Sequence, residues 1–118
     1  RMPNLFVSDA EIKTIGDYME RVFIADSVER EIKIDEAKVA KGKFFFYEKF
    51  GCQACHQTNG KGGYVGPPLD KVGARLKQGW ILHWLKNPQA FKPESIEPNN
   101  NLTDSEAEAL TAYLMTLK

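Results

Sequence analysis

The chain is poor in several of the features that define protein classes. It has two cysteines in 118 residues, which cannot build a disulfide scaffold. Its two histidines leave zinc poorly supported, because a structural zinc site takes about four ligands. No apolar run approaches the ~20 residues of a membrane helix; the longest, Phe44-Phe45-Phe46-Tyr47, is one turn long. Neither charge is in excess, with 16 Lys+Arg against 16 Asp+Glu, whereas a nucleic-acid binder carries a basic surplus. No signal peptide opens the sequence, which reads as a mature product or an internal piece. What is present is enough apolar material, 42% of residues, for one globular domain of roughly 100 residues, and too much for a disordered chain.

The two cysteines stand together as Cys52-Gln53-Ala54-Cys55-His56. C-x-x-C-H is the spacing for covalent attachment of a c-type haem. Two thiols must reach the two vinyl groups on one edge of the macrocycle, and the next residue must set an imidazole under the iron as proximal ligand. A thioredoxin-like reading of C-x-x-C needs a strand before it and a βαβ context, and no convincing strand is signalled. A zinc reading finds only His83 outside the motif.

The rest of the chain reads as helix and loop. Ser8-Asp9-Ala10-Glu11 forms a capping box, followed by Ile12, Ile15, Met19 and Val22 at helical spacing. Asp35 caps a second helix running to about Phe50, with Val39, Gly42, Phe46 and Phe50 along one side, and Gly51 stops it. Residues 57–68, with four glycines and Pro67-Pro68, predict a loop. A short helix spans roughly Gly79–Lys86 and ends at Pro88; residues 87–101 predict another loop. Thr103-Asp104-Ser105-Glu106 is a second capping box, opening a last helix with Ala107, Leu110, Leu114 and Leu117 on one face. Met19 and Met115 occupy core-like helical positions, and His83 reads as a surface or propionate-side histidine.

On these features residues 35–118 resemble a class I c-type cytochrome. The resemblance rests on the helix ending Phe50-Gly51, the Cys52–His56 motif, Gly66-Pro67 after a glycine-rich loop, the Trp80–Pro88 segment and the capped last helix. It implies an all-α fold around one haem c, held through Cys52 and Cys55, with the first and last helices of that domain crossing at Gly42 and Tyr113. It implies that the Pro67 carbonyl accepts the Nδ1–H of His56, and that Arg75 and an aromatic from the Trp80/Trp84 helix lie near the propionates. As cofactor-binding residues it therefore points to Cys52, Cys55, His56, Pro67, Arg75, Trp80 and Trp84. Plain core packing stays open for each tryptophan. Haem attachment to such motifs is completed outside the cytoplasm, so the resemblance implies a periplasmic or otherwise extracytoplasmic protein.

The sequence departs from the family where a Met-Pro pair normally supplies the sixth ligand. Here the pair is Glu97-Pro98, and a hard anionic oxygen suits ferrous haem poorly. Residues 1–34 form an extra segment. Displaced by 95 residues, its start aligns without a gap on the last helix: Met2 on Glu97, Pro3 on Pro98, Asn4 on Asn99, Ser8 on Thr103, Asp9 on Asp104, Glu11 on Glu106 and Tyr18 on Tyr113. Self-similarity at a fixed period signals repetition, so this segment resembles the Met loop and last helix of a preceding tandem unit, joined by a polar linker at Ala25–Asp35. Met2 is expected to coordinate a haem iron, either this chain's, by folding back or exchange between copies, or one on an upstream unit. An iron left open, or bound by water or Glu97, is the remaining case.

Charge divides unevenly, net −2 over residues 1–34 and net +2 over 35–118. Lys38, Lys41, Lys43 and Lys49 precede the motif and Lys61, Lys71 and Lys77 follow it; lysines near an exposed haem edge steer an acidic redox partner, while an ordinary solvated face gives the same pattern. Two functions stay open. A closed, six-coordinate haem makes the protein a one-electron carrier for redox partner proteins, not an enzyme. An open haem makes it a ligand-binding, sensor or peroxidase-like protein.

Overall fold

The computed structural model describes residues 6–23 and 30–118. Among the described residues six helices, numbered α1 to α6, follow one another: α1 Asp9–Phe23, α2 Glu36–Phe44, α3 Val72–Arg75, α4 Gln78–Lys86, α5 Pro88–Phe91 and α6 Asp104–Leu114. A five-residue π-helical segment, Phe45–Lys49, prolongs α2, and a 3₁₀ turn follows at Cys52–Ala54. The architecture is all-α with one small hairpin.

Asp35 caps α2 by accepting the Lys38 N–H, and left-handed Gly51 (φ 62°) turns the chain out of the π-helical segment. In α6, Thr103 and Glu106 make a reciprocal capping box, which satisfies two of the donors a helix start leaves open. The core is the crossing of these two helices. Ala107, Ala109, Leu110, Thr111, Ala112, Tyr113 and Leu114 of α6 are all buried, as are Gly42 of α2 and Phe45 and Phe46 after it. Gly42 is what lets the backbones meet: a Cβ there would fall 1.9 Å from the Ala109 carbonyl oxygen. Buried Thr111 satisfies its hydroxyl on the Ala107 carbonyl at 2.7 Å. Phe46 packs on Tyr113 with ring centroids 5.4 Å apart, and the Tyr113 hydroxyl donates to that of Tyr47, which pairs with buried Thr58 at 2.7 Å. Burial and the bond to Tyr47 push the Tyr113 phenol up from its ordinary value.

Ion pairs brace the same crossing from outside: Lys38 and Arg30 reach Glu108, and Lys49 reaches Glu106. Lys38 and Lys49, which the sequence leaves open as steering charges or as an ordinary solvated face, thus hold α6. Pairs this near the surface are weakened by solvent and salt screening and each adds little.

Three expectations are corrected. Residues 57–62 are not all loop, because Gln57–Thr58 (β1) pairs antiparallel with Lys61–Gly62 (β2). The 87–101 loop contains α5, one turn that Pro88 starts from its first position, where the missing N–H costs nothing. Met19 is half exposed and not a packed core residue; every described side chain from Phe6 to Met19 is exposed. Among the described residues no helix is long and apolar enough to cross a membrane.

Candidate haem site

Between α4, α6 and the loops that follow the motif lies a cavity of about 570 Å³, within the range of about 300–1,000 Å³ in which proteins bury cofactor-sized molecules. Its wall is mostly apolar: Phe46 and Cys52, then Val65, Gly66, Pro67, Leu69 and Val72 after the motif, Trp80, Ile81, Trp84 and Leu85 from α4, and Leu110 and Leu114 from α6. The 92–97 segment closes it with Lys92, Glu94, Ser95, Ile96 and Glu97. Tyr64, Val65 and Ile96 are strongly exposed large apolar residues, and the last two also line the cavity.

The 3₁₀ turn sets the motif. Cys55 and His56 both donate their backbone N–H to the Cys52 carbonyl, at 3.2 and 3.0 Å, so the two thiols and the imidazole are gathered within one turn. Loop backbone then locks the turn: Gly63 donates to Gln53 and Gly66 to Cys55. The His56 ring is fixed from both ends. Nδ1 lies 2.8 Å from the Pro67 carbonyl, and Nε2 lies 3.2 Å from Glu97 Oε2. The bond to Glu97 raises the His56 pKa above its ordinary value, burial opposes this, and the Pro67 contact adds to the rise. Gly66 gives the ring its place, since a Cβ there would sit 2.3 Å from His56 Cε1.

The thiols argue against thiol–disulfide chemistry. Both cysteines are free, and burial, aided by the negative charge of Glu97, pushes the Cys52 thiol up to about 11. Redox-active C-x-x-C cysteines have lowered values. Among the described residues no group of three or more His, Cys, Asp or Glu side chains could hold a metal ion.

Of the residues singled out in the sequence, Cys52, His56, Pro67, Trp80 and Trp84 all line the cavity. Cys55 is half-buried and is not among the described cavity-lining residues. Trp80 and Trp84, one turn apart on α4, stack at 5.1 Å with planes 14° apart, and Phe91 packs against both. Arg75 is exposed at the end of α3, and half-buried His83 lies on α4; neither is among the described cavity-lining residues. Met115 is half-buried against the core. Met2 lies outside the described residues. Gln89 is the residue the structure adds, and it gives Glu97 a partner in His56. Glu97 was visible as a substitution in a Met-Pro position, whereas no sequence signal marked Gln89, whose amide donates to the Ser95 and Glu97 carbonyls at 3.2 and 2.7 Å.

An apolar cavity, two free thiols at C-x-x-C spacing and an imidazole aimed inward define a c-type haem protein. The cytochrome c family model matches residues 39–118, and the chain belongs to that family. It is a small all-α cytochrome c domain with an added N-terminal helix, and it carries one haem c bound through Cys52 and Cys55. Haem-based electron transfer is the general activity of the family, and such domains are typically extracytoplasmic. No curated protein matches the sequence.

Proposed function

We propose that this chain is a one-electron carrier in which His56 is the proximal ligand and Cys52, Cys55, Pro67, Trp80 and Trp84 hold and enclose the haem. The observation that carries the reading is the His56 ring, pinned by Pro67 through Nδ1 with Nε2 turned into the cavity. A metal-bound histidine keeps its orientation and basicity through such a bond from the other nitrogen. When bound, the haem supplies an iron that alternates between ferric and ferrous states. The chain excludes water with an apolar wall, fixes the ring and holds the porphyrin edge by two thioethers.

The partner is a redox protein that docks against Val65 and Ile96, which line the cavity and are exposed. The exposed lysines Lys41, Lys43, Lys61 and Lys71 favour an acidic partner, and the association rate then falls with salt. The compartment is the periplasm or its equivalent. The 1–34 segment is read as an appendage of the 35–118 haem domain, similar to the end of another cytochrome unit. An open-site reading, with ligand binding in place of electron transfer, is favoured by the carboxylate that meets His56 where a thioether is usual.

The holoprotein is tested with acidified acetone and a redox titration. The haem stays on the chain, and the titration follows a reversible one-electron curve. Free extraction refutes thioether attachment, and the absence of a reversible couple refutes the carrier reading.

A further inference from the structure

We propose that the carboxylate of Glu97 is the sixth ligand of the ferric iron, opposite His56, and that Gln89 is the residue that positions it. The inference rests on the haem site with His56 proximal, and it adds the identity of the second axial group.

Convergence is the first observation. Glu97 Oε2 stands 3.2 Å from His56 Nε2, the nitrogen that Pro67 leaves free for a metal. The two residues come from segments 41 positions apart, and both side chains are largely shielded, at 13% and 25% exposure. An axial pair on one iron needs two donors from separate segments aimed at the same point. No methionine is among the described residues that line the cavity.

The second observation is the clamp on Glu97. The Gln89 amide on α5 donates to the Glu97 carbonyl at 2.7 Å and to the Ser95 carbonyl at 3.2 Å. The Glu97 N–H in turn donates to Ser95 Oγ at 3.2 Å. The backbone on either side of the carboxylate is thus tied to a helix, and a ligand held this way is preorganised by its supporting residues.

The chemistry follows from ligand hardness. A carboxylate is a hard anionic oxygen donor: it suits the ferric state and competes badly for ferrous iron, which favours thioether or imidazole. Axial-ligand identity is a main lever on haem potential, and a negative ligand lowers it relative to methionine. If dithionite supplied one electron to a haem held by His56, the Glu97 oxygen would be the weaker competitor for the ferrous iron; the carboxylate would leave as the anion with its electron pair, and no proton would have to move.

The experiment uses the full-length holoprotein, after acidified acetone has shown that its haem is covalent, and records ferric optical and electron paramagnetic resonance spectra. A high-spin ferric signal is expected, with rapid carbon monoxide binding after dithionite. Glu97→Gln should change the ferric charge-transfer bands and move the midpoint potential upward. Glu97→Met should give a low-spin spectrum with a thioether-to-iron band and suppress carbon monoxide binding. Gln89→Ala should shift the ferric bands part of the way toward those of Glu97→Gln, a spectroscopic change that loss of stability alone does not produce. Identical ferric spectra for wild type and Glu97→Gln overturn the proposal. So does a thioether band already present in the wild type and lost in Met2→Ala, which would assign the ligand to Met2. Haem that extracts freely refutes the underlying site as well, so the two failures are distinguishable.

Discussion

The imidazole of His56 lies against the bare Cα of Gly66, so close that a methyl group there would fall 2.3 Å from Cε1 and 2.6 Å from Nδ1. The same ring bonds the carbonyl of Pro67, the very next residue. One dipeptide therefore provides both the space for the ring and the acceptor that orients it. Gly66→Ala should force the ring away from Pro67. Overpacking of this kind costs about 1–3 kcal/mol, and loss of the orienting bond adds a shift in midpoint potential. Urea unfolding and a redox titration of the holoprotein check both. An unchanged potential would mean that the ring keeps its bond to Pro67.

A second glycine sets two helical effects against each other. Alanine is favoured over glycine inside a helix by about 1 kcal/mol. At Gly42 the added Cβ meets the Ala109 carbonyl at 1.9 Å and its carbon at 2.6 Å, contacts with rigid backbone of α6. The clash exceeds the propensity gain, so Gly42→Ala should destabilise the protein by about 1–3 kcal/mol or more. At Gly16 nothing lies within 4 Å, and Gly16→Ala should raise the helicity of α1 with no loss elsewhere. Urea denaturation and far-ultraviolet circular dichroism of the two variants test the opposite signs.

These two glycines also show what the sequence makes legible. Gly42 is readable because the resemblance to a class I c-type cytochrome places it, with Tyr113, where the first and last helices of the haem domain cross. The C-x-x-C-H motif, both capping boxes and the last helix are readable because each is a local pattern with fixed spacing. The hairpin at Gln57–Gly62 has two residues per strand, too few for any period to register, and α5 is a single turn. The contact between His56 and Glu97 joins residues 41 apart. The sequence marks Glu97 only as a departure and says nothing of where its carboxylate points. Gln89 is silent altogether, since a side-chain amide bonding carbonyls six and eight residues on leaves no pattern. Lys38 and Lys49 were readable as charge but not as partners of α6, because those pairings depend on the crossing.

Acid should weaken the crossing through Glu106. The ammonium of Lys49, then the backbone N–H and hydroxyl of Thr103, hold the Glu106 carboxyl down to about 2, against an ordinary value of 4.5. The folded value is the lower one, so this stabilisation is fully present above pH 4.5 and fades as pH falls toward 2. Glu106→Gln removes the titrating group and keeps a residue that suits a capping box. The wild type should be the more stable at neutral pH, with the difference shrinking through that acid window. Chemical denaturation of both proteins across the range is the measurement. A constant difference would show that the carboxyl does not gain its partners on folding.

The last prediction compares two helices that share a pattern and differ in surroundings. At the 95-residue register Ile15 of α1 corresponds to Leu110 of α6, and both follow a capping box at the same offset. Leu110 is 1% exposed and lies in the core, whereas Ile15 is 50% exposed. Burial, not the sequence pattern, sets the worth of an apolar side chain, at about 25 cal/mol per Å² removed from water. Leu110→Ala should therefore cost about 2–5 kcal/mol, the usual range for a truncated core leucine. Ile15→Ala should stay within about 0.5 kcal/mol, as surface changes do. A helix of 15 residues with no buried described side chain is also marginal in water by itself, so the amides of α1 should exchange hydrogen far faster than those of α6. Urea midpoints of the two variants and hydrogen exchange on the monomeric holoprotein provide the check. If Ile15→Ala costs as much as Leu110→Ala, α1 is packed against another surface in solution, and its likeness to α6 extends to its environment.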